Sequence, residues 1–171
     1  ESFLPEELNN AFVVCSERFE SSYLENLGNG KFRITSLPLV AQFSPVYGMV
    51  TGDFNQDNKL DVLLVGNSYA PEISSGRDDA FIGLYLKGDG KGGFEPVPVE
   101  HSGFMADRDA KGLAKLILGD GREMIIVGNN NSATQTFVMN QAGNYYRAGK
   151  DDAYALVSRK DGSVSRHEFY Y

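Results

Sequence analysis

The sequence predicts an all-β fold: an incomplete β-propeller of four-stranded antiparallel blades. Three observations carry that prediction. First, 19 glycines in 171 residues exceed the usual share of about 7%. Glycine serves tight turns, and many turns in a short chain favour short strands. Second, the sequence repeats. Tyr23-Leu24-Glu25-Asn26-Leu27-Gly28-Asn29-Gly30-Lys31-Phe32 resembles the segment from Tyr85 to Phe94, 62 residues on, and the segment from Asp61 to Asn67 resembles that from Glu123 to Asn129 at the same spacing. Third, no stretch sustains the i, i+3, i+4, i+7 apolar pattern of a helix.

The elements follow in chain order within a single repeat domain over 1–171. Residues 11–44 read as a partial blade, the outer half of an earlier unit. Residues 45–108 read as a whole blade with strands at 46–53, 61–67, 80–86 and 94–97. Residues 109–148 read as a second blade with strands at 112–118, 122–129, 134–140 and 145–147. Residues 149–171 close the chain with a hairpin, 153–159 and 163–170, around Lys160-Asp161-Gly162; Asp-Gly between alternating strands is a strong hairpin signal. The apolar runs from Val62 to Val65 and from Met124 to Val127 suit strands covered on both faces. Glycines between 88 and 93 mark a hairpin turn, since a strand and not a helix follows them. One helical turn is expected at 5–10. Two units and two fragments do not comfortably close a ring. Either further sequence completes it, or exposed blade edges pair with another copy. A β-sandwich-like packing of the same sheets is the alternative. The first residue is Glu1 and no signal peptide is visible, so the chain reads as excised from something longer.

Composition narrows the function. A net charge of −7 argues against nucleic acid as a partner. No apolar run approaches the roughly 20 residues of a membrane span. Cys15 is the single cysteine, so there is no internal disulfide, and its apolar neighbours predict a buried, inert thiol. His101, in a loop, and His167, on the last strand, lack metal-ligand spacing, and neither a nucleophile elbow nor a phosphate loop is present. No catalytic residue is assigned, and the chain reads as a non-enzyme.

One motif carries chemistry. In Asp53-Phe54-Asn55-Gln56-Asp57-Asn58-Lys59-Leu60-Asp61, oxygen-bearing side chains fall at loop positions 1, 3, 5 and 9. Alternating oxygens on a tight loop can wrap Ca²⁺, which takes 6–8 oxygen ligands. Lys59, at position 7, offers its backbone carbonyl with its amine pointed away. Asn58, at the sharp turn, tolerates the left-handed conformation. An EF-hand is excluded, because its bidentate Glu would fall at Leu64 and a strand follows. The expected affinity is modest, about 10⁻⁴–10⁻³ M as in extracellular modules. The matching turn of the second unit, Gly119-Asp120-Gly121, has one carboxylate, so a single site is expected.

The segment from Phe54 to Asn58 between apolar strands, with Asn26…Gly30-Lys31-Phe32 and Asn140…Gly143-Asn144-Tyr145, resembles the FG-GAP/VCBS repeat. That repeat forms the seven-bladed propellers of integrin α subunits and many bacterial surface proteins. The segments from Ser22 to Phe32, from Ala41 to Tyr47 and from Gly76 to Ala80 resemble VCBS-repeat proteins of Bacteroidetes. The tail from Asp161 to Tyr170 resembles the end segment of the ASPIC/UnbV group. The resemblance implies Asp53, Asn55, Asp57 and Asp61 as calcium side-chain ligands; Asn58 stands where the family has Gly. It implies an extracellular, cell-surface or periplasmic address.

The long loop from Asn67 to Asp79 bears Tyr69, Glu72, Arg77, Asp78 and Asp79, the candidate ligand-binding residues. Long loops on a rigid scaffold carry binding groups, although Arg77 paired to a neighbouring Asp would be an ordinary solvated loop. The run Asn129-Asn130-Asn131-Ser132 occupies the same place in the next unit. The expected function is a calcium-stabilised scaffold for binding or adhesion to a protein or glycan. A carbohydrate-recognition module of a glycan-utilisation system and a non-catalytic part of a secreted hydrolase are the alternatives, Asp78 and Glu72 being the nearest approach to an acid/base pair.

Overall fold

The computed structural model describes residues 9, 11–12, 14–70, 74, 76–143, 145–158, 162 and 164–169. Most of the turn expected at 5–10, Glu72, and the tip residues Lys160 and Asp161 lie outside them. The described chain is all-β, with several small antiparallel sheets and none closed. Eleven strands are formed among the described residues: β1 (Ser22–Gly28), β2 (Lys31–Ser36), β3 (Val46–Gly52), β4 (Asp61–Gly66), β5 (Leu84–Gly88), β6 (Phe94–Val97), β7 (Ala110–Ile117), β8 (Arg122–Asn129), β9 (Gln135–Ala142), β10 (Tyr154–Ser158) and β11 (Val164–Glu168). A 3-10 turn (Leu39–Gln42) and one short helix, α1 (Val99–Ser102), interrupt them. No helix among the described residues is long and apolar enough to cross a membrane.

The sheets are β1-β2, β3-β4-β5-β6, β7-β8-β9 and β10-β11. The chain divides into two compact units: Glu1–Lys115 with Ile125–Phe137, and Leu116–Met124 with Val138–Tyr171.

The first unit is organised by β4, which lies between β3 and β5. All six of its residues are buried. Side chains alternate across a strand, so Leu63 and Val65 join Phe104, Ala106, Ala110, Ile125 and Val127, while Val62 and Leu64 join Ala41, Phe81, Leu84 and Leu86. Two cores therefore flank one strand, as its unbroken apolar run predicted. In β8 only Ile125 and Val127 are buried, so that strand has one covered face. The turn from β5 to β6 is held by Asp89, whose Oδ1 accepts from Lys91 N–H (2.7 Å) and Gly93 N–H (2.9 Å). In the second unit, β10 and β11 pair from Tyr154↔Glu168 to Ser158↔Val164. Arg166 lies over the Tyr154 ring at 4.1 Å and pairs with Glu168.

Several sequence expectations are corrected. The third strand of the first blade, expected at 80–86, begins only at Leu84. The Asn67 amide holds Phe81 on both its N–H and C=O, and Gly83 has φ +80°, outside strand geometry. Of the four strands expected over 109–148, three form, since 145–147 form none. There Tyr146 donates to Asp152 Oδ2 (2.7 Å) and stacks on Phe169 at 6.1 Å. Cys15 is exposed, not buried. Residues 11–20 form no strand among the described residues, so the apolar run beside Cys15 has no sheet to cover it; Phe12 is 94% exposed. His101 falls in α1, which Gly103 ends in a left-handed conformation. Exposed apolar side chains mark the hairpin β1-β2 (Leu24, Phe32, Ile34) and, in the other unit, β10-β11 (Leu156, Val164).

Candidate functional site

The nine-residue acidic motif forms the bend from β3 to β4. Its inner surface is built from alternating side chains. Asp53 Oδ1 accepts from Asp57 N–H (3.0 Å) and Asp53 Oδ2 from Asn58 N–H (2.8 Å). Asn55 Oδ1 accepts from the same Asp57 N–H (2.9 Å), which brings the oxygens of positions 1 and 3 to one side of the loop. Asp57 Oδ1 accepts from Lys59 N–H (3.0 Å), and Asn55 Nδ2 donates to Asp57 Oδ2 (3.2 Å). Gln56 and Asn58 take left-handed φ values of 61° and 65°. Asn and other short polar residues reach that region more readily than bulky ones, so Asn58 does at position 6 what glycine would do.

Asp61 is placed differently. It is fully buried at the start of β4, and three groups donate to it: Phe54 N–H (3.2 Å) and Tyr85 O–H (2.8 Å) to Oδ2, and Gly88 N–H (2.9 Å) to Oδ1. Asp61 thus pins the loop to both β4 and β5. Among the described residues, no three Asp, Glu, His or Cys side chains form a group that could hold a metal ion. The structure brings together Asp53, Asn55 and Asp57, and engages Asp61 with the sheet.

Electrostatics follow from this crowding. Burial pushes the Tyr85 phenol well above its ordinary 10.0, reinforced by its bond to Asp61 and by the charges of Asp61, Asp57 and Asp53. For Asp57, desolvation raises the carboxyl, but bonds from Lys59 N–H, Lys87 and Asn55 and the Lys59 charge outweigh it and hold it below the ordinary 3.8. The Lys59 amine, expected to point away, lies 3.9 Å from Asp57 Oδ2, and Lys87 Nζ lies 3.3 Å from the same oxygen. The carboxylates attract the nearest ammonium groups. Lys87, on β5, was not anticipated, because only strand pairing places it beside the loop.

A second site lies at the other end of the same sheet. Tyr69, Ala70, Arg77, Arg108, Asp109, Asn130, Asn131 and Ser132 line a cleft of about 460 Å³. The loop bearing Tyr69 and Arg77 is closed by paired bonds between Ser68 and Asp78 (2.8 and 2.9 Å). Tyr69 O–H donates to Asp107 C=O (3.1 Å), and the Arg77 guanidinium lies over the Tyr69 ring at 5.0 Å. Asp78 is tied by its backbone, including a bond from the Ser44 hydroxyl, and Asp79 is exposed; neither lines the cleft. Opposite stands the Asn130-Asn131-Ser132 turn. Arg108 and Asp109 were not anticipated. Their only sequence signal is the alternation Asp107-Arg108-Asp109, which reads equally as solvated surface.

Asp109 is 2% exposed and anchors the cleft floor. Lys111 Nζ lies 2.7 Å from its Oδ1, and Asn130 Nδ2 donates to its Oδ2 (2.9 Å). Lys111 also donates to Asn67 C=O and lies 4.0 Å from the Tyr47 ring. Desolvation raises the Asp109 carboxyl, but Lys111, Asn130 and the Tyr69 N–H outweigh it and keep it below the ordinary 3.8. A carboxyl depressed in the folded state stabilises above its unfolded pKa and loses that contribution as pH falls through the folded value. Urea unfolding of the wild type from about pH 7 to about pH 3 should therefore show stability falling on the acid side, with Asp109→Asn flattening that fall. An Asp109→Asn acid limb as steep as the wild type's would contradict this role.

No protein-family model, curated protein or solved structure matches the chain.

Proposed function

We propose that this chain is a calcium-stabilised β-propeller scaffold of the FG-GAP/VCBS type, whose loops bind a partner at a bacterial surface or in the periplasm, and that it is not an enzyme. In this reading β3–β6 is one blade, β7–β9 is a second, and the exposed apolar strands of β1-β2 and β10-β11 belong to blade edges that further sequence or a second copy covers. The observation that carries the calcium assignment is the loop from Asp53 to Asp61, in which the side-chain oxygens of Asp53 and Asn55 meet on one amide. The donor set is chemically suited to a hard cation. Asp53, Asn55 and Asp57, with the Lys59 carbonyl, would hold it; Asp61 fits a ligand role less directly, since three protein donors already engage it. Bound Ca²⁺ would neutralise the crowded carboxylates and stiffen the bend between two central strands. Lys59 and Lys87 compete for Asp57, consistent with weak, extracellular-range affinity.

Thermal and urea unfolding with Ca²⁺ and with chelator test this. A cation that binds only the native state adds about 2.7 kcal/mol at 100 times its Kd. The expected result is a calcium-dependent rise that Asp57→Ala abolishes. An unchanged midpoint across millimolar Ca²⁺ would remove the metal from the proposal.

A further inference from the structure

We propose that the cleft lined by Tyr69, Arg77, Arg108, Asn130, Asn131 and Ser132 binds an anionic saccharide, with the two arginines holding its carboxylate or sulfate. This deepens the binding-scaffold reading by naming a ligand class; it does not depend on the calcium loop, which shares no residue with the cleft.

Charge is the first argument. The chain carries −7 overall, yet among the described residues the charged groups lining the cleft are Arg77, Arg108 and Asp109. Asp109 is buried and already matched by Lys111 at 2.7 Å. Two guanidinium groups are left in a negatively charged molecule. Arg77 makes no ion pair among the described residues and is held over the Tyr69 ring. Arg108 is oriented by NH1, which donates to Ala133 C=O (2.9 Å) and lies 3.4 Å from Ser132 Oγ. A guanidinium has five N–H donors in a planar fork, so an anchored Arg108 keeps donors to offer. Arginine forks match carboxylate and sulfate-like oxyanions.

The rest of the lining selects the ligand class. Asn130 Nδ2 is committed to Asp109, whereas the exposed Asn131 and Ser132 offer an amide and a hydroxyl suited to sugar hydroxyls. Arg77 covers one face of Tyr69. Among the described residues, Ala70 is the only aliphatic side chain in the lining. The volume of about 460 Å³ lies within the range of roughly 300–1,000 Å³ typical of small-ligand pockets.

The test is calorimetric titration of the full chain, in Ca²⁺ and in chelator, with a uronate oligosaccharide, a sulfated oligosaccharide, their neutral counterpart, and acetate or sulfate alone. The expected result is binding of a charged oligosaccharide, about tenfold or more tighter than the neutral one, and about tenfold or more weaker in Arg77→Gln. Arg77 is exposed, so that variant should melt like the wild type. Whether uronate or sulfate binds identifies the source of the anion. Equal binding of neutral and charged sugars, no binding of any sugar, acetate or sulfate binding as tightly as the sugars, or an unaffected Arg77→Gln variant would each overturn the proposal. Asp57→Ala should leave sugar binding intact. A calcium-dependent melt without sugar binding refutes this inference alone, and sugar binding without a calcium effect refutes the metal assignment alone.

Discussion

Asp61→Ala is expected to lower the unfolding free energy by about 3 kcal/mol, with chelator as well as with Ca²⁺. The carboxylate is fully buried and accepts from Phe54 N–H, Tyr85 O–H and Gly88 N–H. Hydrogen bonds to a charged group are worth about 1.5–3 kcal/mol each, and truncation leaves their donors unsatisfied. Removing a buried charge recovers some desolvation free energy, which keeps the net below the simple sum. Relaxation around Gly88 is restricted on the side of the Leu60 carbonyl, which an added Cβ would overlap. Urea denaturation in chelator is the decisive measurement. A loss under about 1 kcal/mol, or one confined to calcium-containing buffer, would make Asp61 chiefly a metal ligand instead of a brace.

Asn67→Ala is expected to cost about 3 kcal/mol, and Asn129→Ala, at the equivalent position of the next repeat, about 1 kcal/mol. Asn67 is fully buried at φ +86°. Its amide donates to Phe81 C=O (2.6 Å) and Arg108 C=O (3.1 Å) and accepts from Phe81 N–H (3.0 Å). Alanine would leave those backbone groups without partners and would be strained at positive φ. Asn129 is half-buried and donates to Ala133 C=O (2.8 Å) and Gln135 Oε1 (3.3 Å), in a shorter loop nearer water. Paired denaturation curves check the ranking; equal losses would show that burial does not set the difference. Asn67 also joins the two sites of the first unit. It directly follows the strand that Asp61 begins, and through Arg108 it supports the cleft.

The reading from sequence located the acidic loop because its spacing is local. Asp53, Asn55 and Asp57 interact across two to five residues, and Asn58 adopts its turn conformation from its own chemistry. It located half of the cleft, the Tyr69 and Arg77 loop, because long polar loops are visible as interruptions of the repeat. It missed Arg108, Asp109 and Lys87, whose partners include groups 21 to 41 residues away or across a strand pair. The strand expected at 145–147 did not form for a related reason. Tyr145, Tyr146 and Arg147 have strand character, but Asp152 and Phe169 compete for Tyr146.

Periodicity and turn chemistry, which act over a few residues, were sufficient for the all-β class, the buried run of β4, the glycine hairpin and the acidic bend. Contacts between segments distant in the chain decided that Asp61 braces the sheet, that Asn130 holds the buried Asp109, and that two arginines share a cleft. Burial of charge depends on what the rest of the chain packs around it, and no short window of sequence contains that information.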